Sequence, residues 1–419
     1  VIHRPPIEAS PERLEDLRQR TVRVLFSGVG LGSTGYIAAV TVGTIVARDL
    51  TGSPLLSGVP GAAVVLGAAG GAAILSRLMI ARGRRFGLTS GYVISVIGAI
   101  VAIAAVVDRA FPLFLLGTLL IGFGNASNQL SRYAAADLYP VARRASAIGI
   151  VVWGATFGAV IGPNVIGVAG TLGGSVGLPP LAAAYLLPVI FVGAAGILTF
   201  AALRPDPYLL ADRSDLGLDD RFMTTSLRRI FSRPNVPVAI VALITGQVVM
   251  VLIMTMTPLH MTEHGHDLAA VGIVISGHTF GMFALSPVSG RLTDRFGSYR
   301  VVLAGLVVLA GAGILSAVAP ADGGIILFIA LFLLGFGWNL GFVAGSALLT
   351  IGLGLSERTR VQGFTDALIW SSAAAASLGS GAVVAGAGYA TLGLIGAAMV
   401  IVPSWLLVSR ARARPVPAD

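Results

Sequence analysis

The 419 residues include no cysteine and no lysine, and charged side chains make up only 11% of them. Without cysteine there is no disulfide, no thiolate metal site and no thiol nucleophile. Charge this sparse lies far below the roughly 25% of soluble globular domains. Phosphate-binding loops are missing as well: no Walker sequence occurs and no glycine-rich turn follows a strand, so ATP is not the energy source. Nothing supports hydrolytic, redox or phosphoryl-transfer chemistry, and no cofactor is expected. An enzyme is therefore not the expectation.

What fills the chain instead is apolar sequence. Hydrophobic residues account for 55%, glycine alone for 55 positions. Runs of bilayer length recur, and small residues let membrane helices approach closely. Twelve spans are expected at about 22–47, 54–76, 87–107, 111–134, 144–170, 180–203, 235–261, 268–289, 300–319, 324–352, 361–386 and 388–409. This predicts an all-α polytopic membrane protein of two six-helix bundles, 21–203 and 235–409. Residues 1–20 form a cytoplasmic tail and a short surface helix, 204–234 a cytoplasmic linker with an amphipathic stretch at 220–233, and 410–419 a second tail. The first apolar run is too long for the h-region of a cleavable leader, so span one is expected to stay in the membrane.

All 28 basic residues are arginine, within a net charge of +9. With both termini in the cytoplasm, only Arg48 and Arg109 fall on the outer side. That bias sets the orientation in the cell (inner) membrane and removes the nucleic-acid reading of the positive charge. The expected partners are the lipid bilayer and a small-molecule or metal-ion substrate, with the protein monomeric.

The halves repeat each other. LLIGFGNAS (119–127) matches LLGFGWNLG (333–341), and SRLMIARGRR (76–85) corresponds to GRLTDRFGSY (290–299). Parallel six-helix repeats are a transporter signature, with a substrate site at mid-membrane.

One stretch concentrates soft donors. Between Gln247 and Met282 lie five of the eight methionines and four of the five histidines. Met250 and Met254 are four apart, as are His278 and Met282, so each pair shares a helix face. Two such helices facing each other can enclose an ion, and thioether with imidazole suits Cu(I). The competing reading is apolar gap-filling by methionine, with His278 as a hydrogen-bonding or protonation site. His264, His266 and Glu263 are expected to collect metal at the outer mouth.

Other polar residues sit within spans. Asn125, Asn128, Gln129 and Arg132 form one stripe on span four. The amides line a cavity or bond to neighbouring helices, while Arg132 and Asp137 lie near the cytoplasmic end as snorkelling or gating groups. Tyr36 and Gln247 are further cavity candidates. Asp366 carries a proton or pairs with Arg82, Arg84 or Arg85. Asp294 is placed to meet the first turn of span five beside Arg143 and Arg144. Gly149, Gly158 and Gly162 are expected close to one helix face, with a bend at Pro163.

GRLTDRFGSYR (290–300) resembles motif A of the major facilitator superfamily. GIVVWGATFGAVIGPNVIG (149–167) resembles its motif C, with Ile166 in place of one glycine. The resemblance spans nearly the whole chain and implies a secondary transporter working by alternating access. Motif C is associated with drug/proton antiporters, yet the first motif A has Ile80 where its acid should stand, and motif B has Thr118 in place of arginine. Span one carries no acid before Asp49. The paired MxxxM and HxxxM resemble the CcoA-type copper importers instead, which implies Met250, Met254, His278 and Met282 as copper ligands. Relatives of that branch carry other substrates, riboflavin among them. Three readings stand: copper transporter, drug/proton antiporter, or a transporter-like receptor that moves nothing.

Overall fold

The computed structural model describes residues 10–53, 56, 58–175, 177–210, 227–266, 268–320 and 324–412. They contain twelve helices long and apolar enough to cross a membrane. The structure is nearly all helical, as the apolar runs predict. Side chains left open on the spans are large and apolar, such as Ile197 at 72% and Leu378 at 79%, which suits a hydrocarbon surround rather than water.

Helix ends follow local chemistry. Span one begins at Ser10, whose hydroxyl accepts from Arg13 N at 3.4 Å, with Pro11 in the first turn. It runs for 41 residues, Pro11–Thr51, and ends on Gly52 at φ 68°. The tail helix expected within 1–20 is thus continuous with span one from Pro11 onward, since no breaker separates them; residues 1–9 lie outside the described residues. In the linker only 227–233 of the expected amphipathic helix is described, helical over Leu227–Phe231, and 211–226 lie outside.

Two compact units emerge from the contacts. The first holds 1–140, 150–224 and 353–371; the second holds 141–149, 225–352 and 372–419. Each repeat's helices group together, except that the start of span five belongs to the second unit and the start of span eleven to the first. In the first unit, span four (Phe111–Ala136) packs on spans two (Val59–Arg82) and three (Arg84–Val107). In the second, span ten (Gly324–Leu348) packs on spans seven (Asn235–Glu263), eight (Leu268–Phe283) and nine (Ser298–Val318).

Span five is three helices: Arg144–Trp153, Ala155–Asn164 and Ile166–Ser175. Breaks fall at Gly154 and Val165, the second two residues past Pro163. Gly149 does not share a face with Gly158 and Gly162, because nine residues is two and a half turns. A Cβ on Gly149 would stand 3.0 Å from the Ser286 carbonyl carbon, whereas one on Gly158 would stand 2.6 Å from the Ser33 carbonyl carbon and one on Gly162 3.0 Å from the Thr34 oxygen. One glycine serves contact with span eight, and the other two serve span one.

Span eight breaks after Phe283 and resumes as Ser286–Phe296, so most of the expected motif A loop is helix. Pro287 lacks the N–H that would reach Phe283 O; the Ser286 hydroxyl donates there instead at 2.7 Å. Asn339 closes the break by donating to Met282 O and Ser286 Oγ, each at 2.6 Å.

Candidate functional site

Buried charge collects in the first unit. Arg132 on span four donates to Asp366 Oδ1 at 2.7 Å and to the Tyr133 hydroxyl at 2.9 Å. Both members of the ion pair are only 2% exposed. Asp366 lies on span eleven (Leu355–Ala387), in the segment that belongs to this unit. Its other oxygen, Oδ2, is buried without a hydrogen-bond partner. Arg84 donates to Asp137 Oδ2 and to Gln362 Oε1, both at 2.8 Å. Arg132 and Asp137 therefore do not snorkel. They are locked in ion pairs, because a neighbouring helix supplies the opposite charge at the same depth. Asp366 pairs with Arg132 rather than with Arg82, Arg84 or Arg85. Gly363, one turn earlier on span eleven, faces span two so closely that a Cβ there would stand 2.7 Å from Ala72 O.

The polar stripe divides. Asn128 accepts from the Tyr92 hydroxyl at 3.0 Å, a helix–helix bond between spans three and four. Gln129 turns its side-chain oxygen to Arg132 at 3.1 Å. Asn125 is buried, and its amide nitrogen makes no hydrogen bond. Tyr36 packs half-buried on an apolar cluster that includes Val42, Phe114 and Tyr185.

In the second unit Asp294 caps the first turn of span five, as expected. Its carboxylate accepts from Ala145 N at 3.1 Å and Ser146 N at 2.9 Å. Exposed Arg143 adds a favourable charge interaction, while Arg144 is buried. Gly290, one turn before Asp294, permits the approach: a Cβ there would lie 2.6 Å from Ala145 O.

The Met/His pairs lie in the second unit too. His278 is fully buried on span eight, with Nδ1 2.9 Å from Leu331 O. A carbonyl only accepts, so Nδ1 carries the proton and Nε2 keeps a lone pair. That nitrogen has no hydrogen-bond partner. Met250 is buried; Met254 and Met282 are half-buried. Span seven packs on span ten and on span twelve (Tyr389–Met399 and Ile401–Arg412), span eight packs on span ten, and seven and eight touch one another only slightly, so the two pairs do not sit on helices that face each other directly. Gln247 accepts from Trp338 Nε1 on span ten at 2.9 Å. Trp338 in turn stacks on Phe342 with ring centres 4.4 Å apart and meets Phe283 edge-on at 5.9 Å. Among the described residues no three His, Asp or Glu side chains come together as a metal site, so His264, His266 and Glu263 do not form the expected outer collecting cluster.

Sequence reasoning missed Asp206. Its carboxylate accepts from Arg84 N at 3.1 Å, Arg85 N at 2.9 Å and Tyr208 N at 2.9 Å, capping span three. Burial raises its pKa, and the three N–H donors oppose the shift. The Asp-Pro pair at 206–207 is the turn signal that marks it.

The Major Facilitator Superfamily model matches residues 24–378, with a second match over 253–419. An MFS-type transporter of Bacillus subtilis, YdeG, is 39% identical over 93% of this chain and 91% of its own. The riboflavin transporter RfnT of Brucella anthropi is 29% identical over 92% of this chain and 95% of its own. Among solved structures, the human organic anion transporter TETRAN superposes with a TM-score of 0.73 at 18% identity, over 93% of this chain and 99% of that one. The fucose:proton symporter FucP of E. coli gives 0.72 at 17% identity, over 93% and 98%. At these identities the structures bear on fold alone. Twelve spans, the acid-capped start of span five, the family match and the full-length relatives all agree: the chain belongs to the Major Facilitator Superfamily of secondary transporters, which work by alternating access.

Proposed function

We propose that this transporter is proton-coupled through Asp366 and carries a small organic molecule with a planar, hydrogen-bonding ring system. The observation that carries the coupling is the buried Arg132–Asp366 pair. A carboxylate within a span is a functional-site candidate by default, proton relays among the roles, and here one oxygen holds the arginine while the buried Oδ2 has no hydrogen-bond partner and is the atom that takes the proton. Protonation removes the charge that holds Arg132, and so frees the start of span eleven. The cargo class is supported by the riboflavin-transporting relative and by the amide-and-indole group of Gln247 and Trp338 on spans seven and ten.

Copper is the second reading, favoured by one observation. His278 Nε2 has a lone pair and no partner inside a span that also carries Met282. The site would be neutral, with sulfur from Met250, Met254 and Met282. The drug/proton reading of motif C differs from the first in cargo only.

Purified protein in liposomes with an imposed pH gradient separates these readings. Riboflavin, Cu(I) and a cationic dye are offered side by side, in both directions, while internal pH is followed. Flavin flux with proton movement is expected, with neither altered by Met250→Leu/Met254→Leu. Copper flux that the double variant abolishes would replace the organic cargo with the metal. Dye flux alone would make the protein a drug antiporter. Flux of any cargo with no proton movement would remove Asp366 as the coupling acid.

A further inference from the structure

The outer end of span seven holds a pair of imidazoles that the transport reading leaves unused. His260 and His264 stand four apart, and their ring centres are 4.4 Å from each other at a tilt of 55°. His260 lies in the last turn of the helix, and His264 is the first residue past its end at Glu263, where a turn bond from His264 N to Met261 O at 3.2 Å folds its ring back onto His260. Their orientation is fixed from two sides. His264 Nδ1 lies 2.8 Å from the backbone oxygen of His260. Since that oxygen only accepts, Nδ1 holds the proton and Nε2 presents a lone pair. His260 stacks on Tyr389 at 4.2 Å and 6°, and the Tyr389 hydroxyl is tied to Thr257 at 2.8 Å. His264 is exposed and His260 half-buried, so an ion reaches both from solution.

Two imidazoles on one ion, each bonded at about 2.0–2.1 Å, bring ring centres to roughly 4.5–5 Å. The observed separation is within a few tenths of that, and a small rotation of exposed His264 covers the difference. We propose that His260 and His264 form a two-imidazole site for a borderline divalent cation, Zn2+ or Cu2+. Neutral imidazole suits these ions and not Mg2+ or Ca2+. Among the described residues no third histidine or carboxylate joins them, so water completes the shell and binding is reversible. An occupied site clamps the last turn of span seven against the backbone leading to span eight, and slows any motion that bends this junction. It is separate from the mid-span methionines and independent of the cargo.

The test uses the full chain in detergent and in liposomes at pH 7.5. Cu2+ is followed by electron paramagnetic resonance and Zn2+ by calorimetry. One equivalent with two nitrogen ligands is expected, with affinity falling at least tenfold in His260→Gln and in His264→Gln. Met250→Leu/Met254→Leu should leave this binding unchanged. Zn2+ added outside should slow transport by wild type and have no effect on His264→Gln. Unchanged affinity in both histidine variants, or equal slowing of His264→Gln, would overturn the site. So would loss of the binding in the methionine variant.

Discussion

At the scale of single residues, the chemistry turns on which buried charges have partners. Arg132 and Asp366 stand 234 positions apart in sequence and 2.7 Å apart in the structure. Removing one member leaves the other charge buried alone, which costs about 3–5 kcal/mol; removing both is often nearly neutral. Arg132→Met alone should therefore lower the melting temperature sharply in detergent. The double variant Arg132→Met/Asp366→Leu should recover most of that loss and still carry no proton-driven flux. A double variant as unstable as the single one would show that the pair is not an isolated unit. Spacing made Asp366 visible as an intramembrane acid, but its partner was not legible. Arg82, Arg84, Arg85 and Arg132 all lie near the same depth, and only helix packing selects among them. Asp206 escaped for a related reason: its role is set by the neighbouring start of span three, and its own sequence reads as linker.

At the scale of elements, the starts of spans five and eleven matter most. The Asp294 cap was legible because helix N-termini attract carboxylates wherever motif A places one. Asp294→Asn keeps an acceptor but loses the charge, which should weaken the cap by about 0.3–1 kcal/mol. We expect slower transport with an unchanged melting profile, and greater reactivity of a probe cysteine placed at Ser146. Unaltered transport and reactivity together would deny the cap any part in the cycle. Glycine positions were legible by type, and their faces were legible too once nine residues are counted as two and a half turns rather than a whole number. Counting turns puts Gly149 opposite Gly158, and the structure gives them different neighbours. Gly158→Leu drives a side chain into the backbone at Ser33, an overpacking that costs about 1–3 kcal/mol or more where backbone must shift. Transport of every cargo should fall at least tenfold, since the clash lies between spans one and five. Normal flux in Gly158→Leu would show that this contact loosens freely.

At the scale of the whole molecule, apolar runs made the twelve spans readable, and arginine placement sets the polarity expected of them. Each signal sums over many residues and survives errors at any one. The orientation can be checked directly, because the chain has no cysteine of its own. A single cysteine at Glu263 should react with an impermeant maleimide added to intact cells, and one at Arg204 only after the membrane is opened. The reverse pattern would invert the assignment of both termini to the cytoplasm.

Asp294 caps the start of span five with two backbone bonds, whereas Ile80 stands at the matching position of the first half and the start of span eleven is held by the buried Arg132–Asp366 ion pair. Releasing the first exchanges backbone N–H groups for water and transfers no proton. On the proposed coupling, releasing the second requires a proton to arrive at a carboxylate. In deuterium oxide, net flux driven by a pH gradient should slow by more than the solvent's viscosity explains. Cargo exchange at equal pH in Asp366→Asn, where no proton is handled, should slow by viscosity alone. Equal slowing in both would mean that proton arrival is never the step that sets the pace.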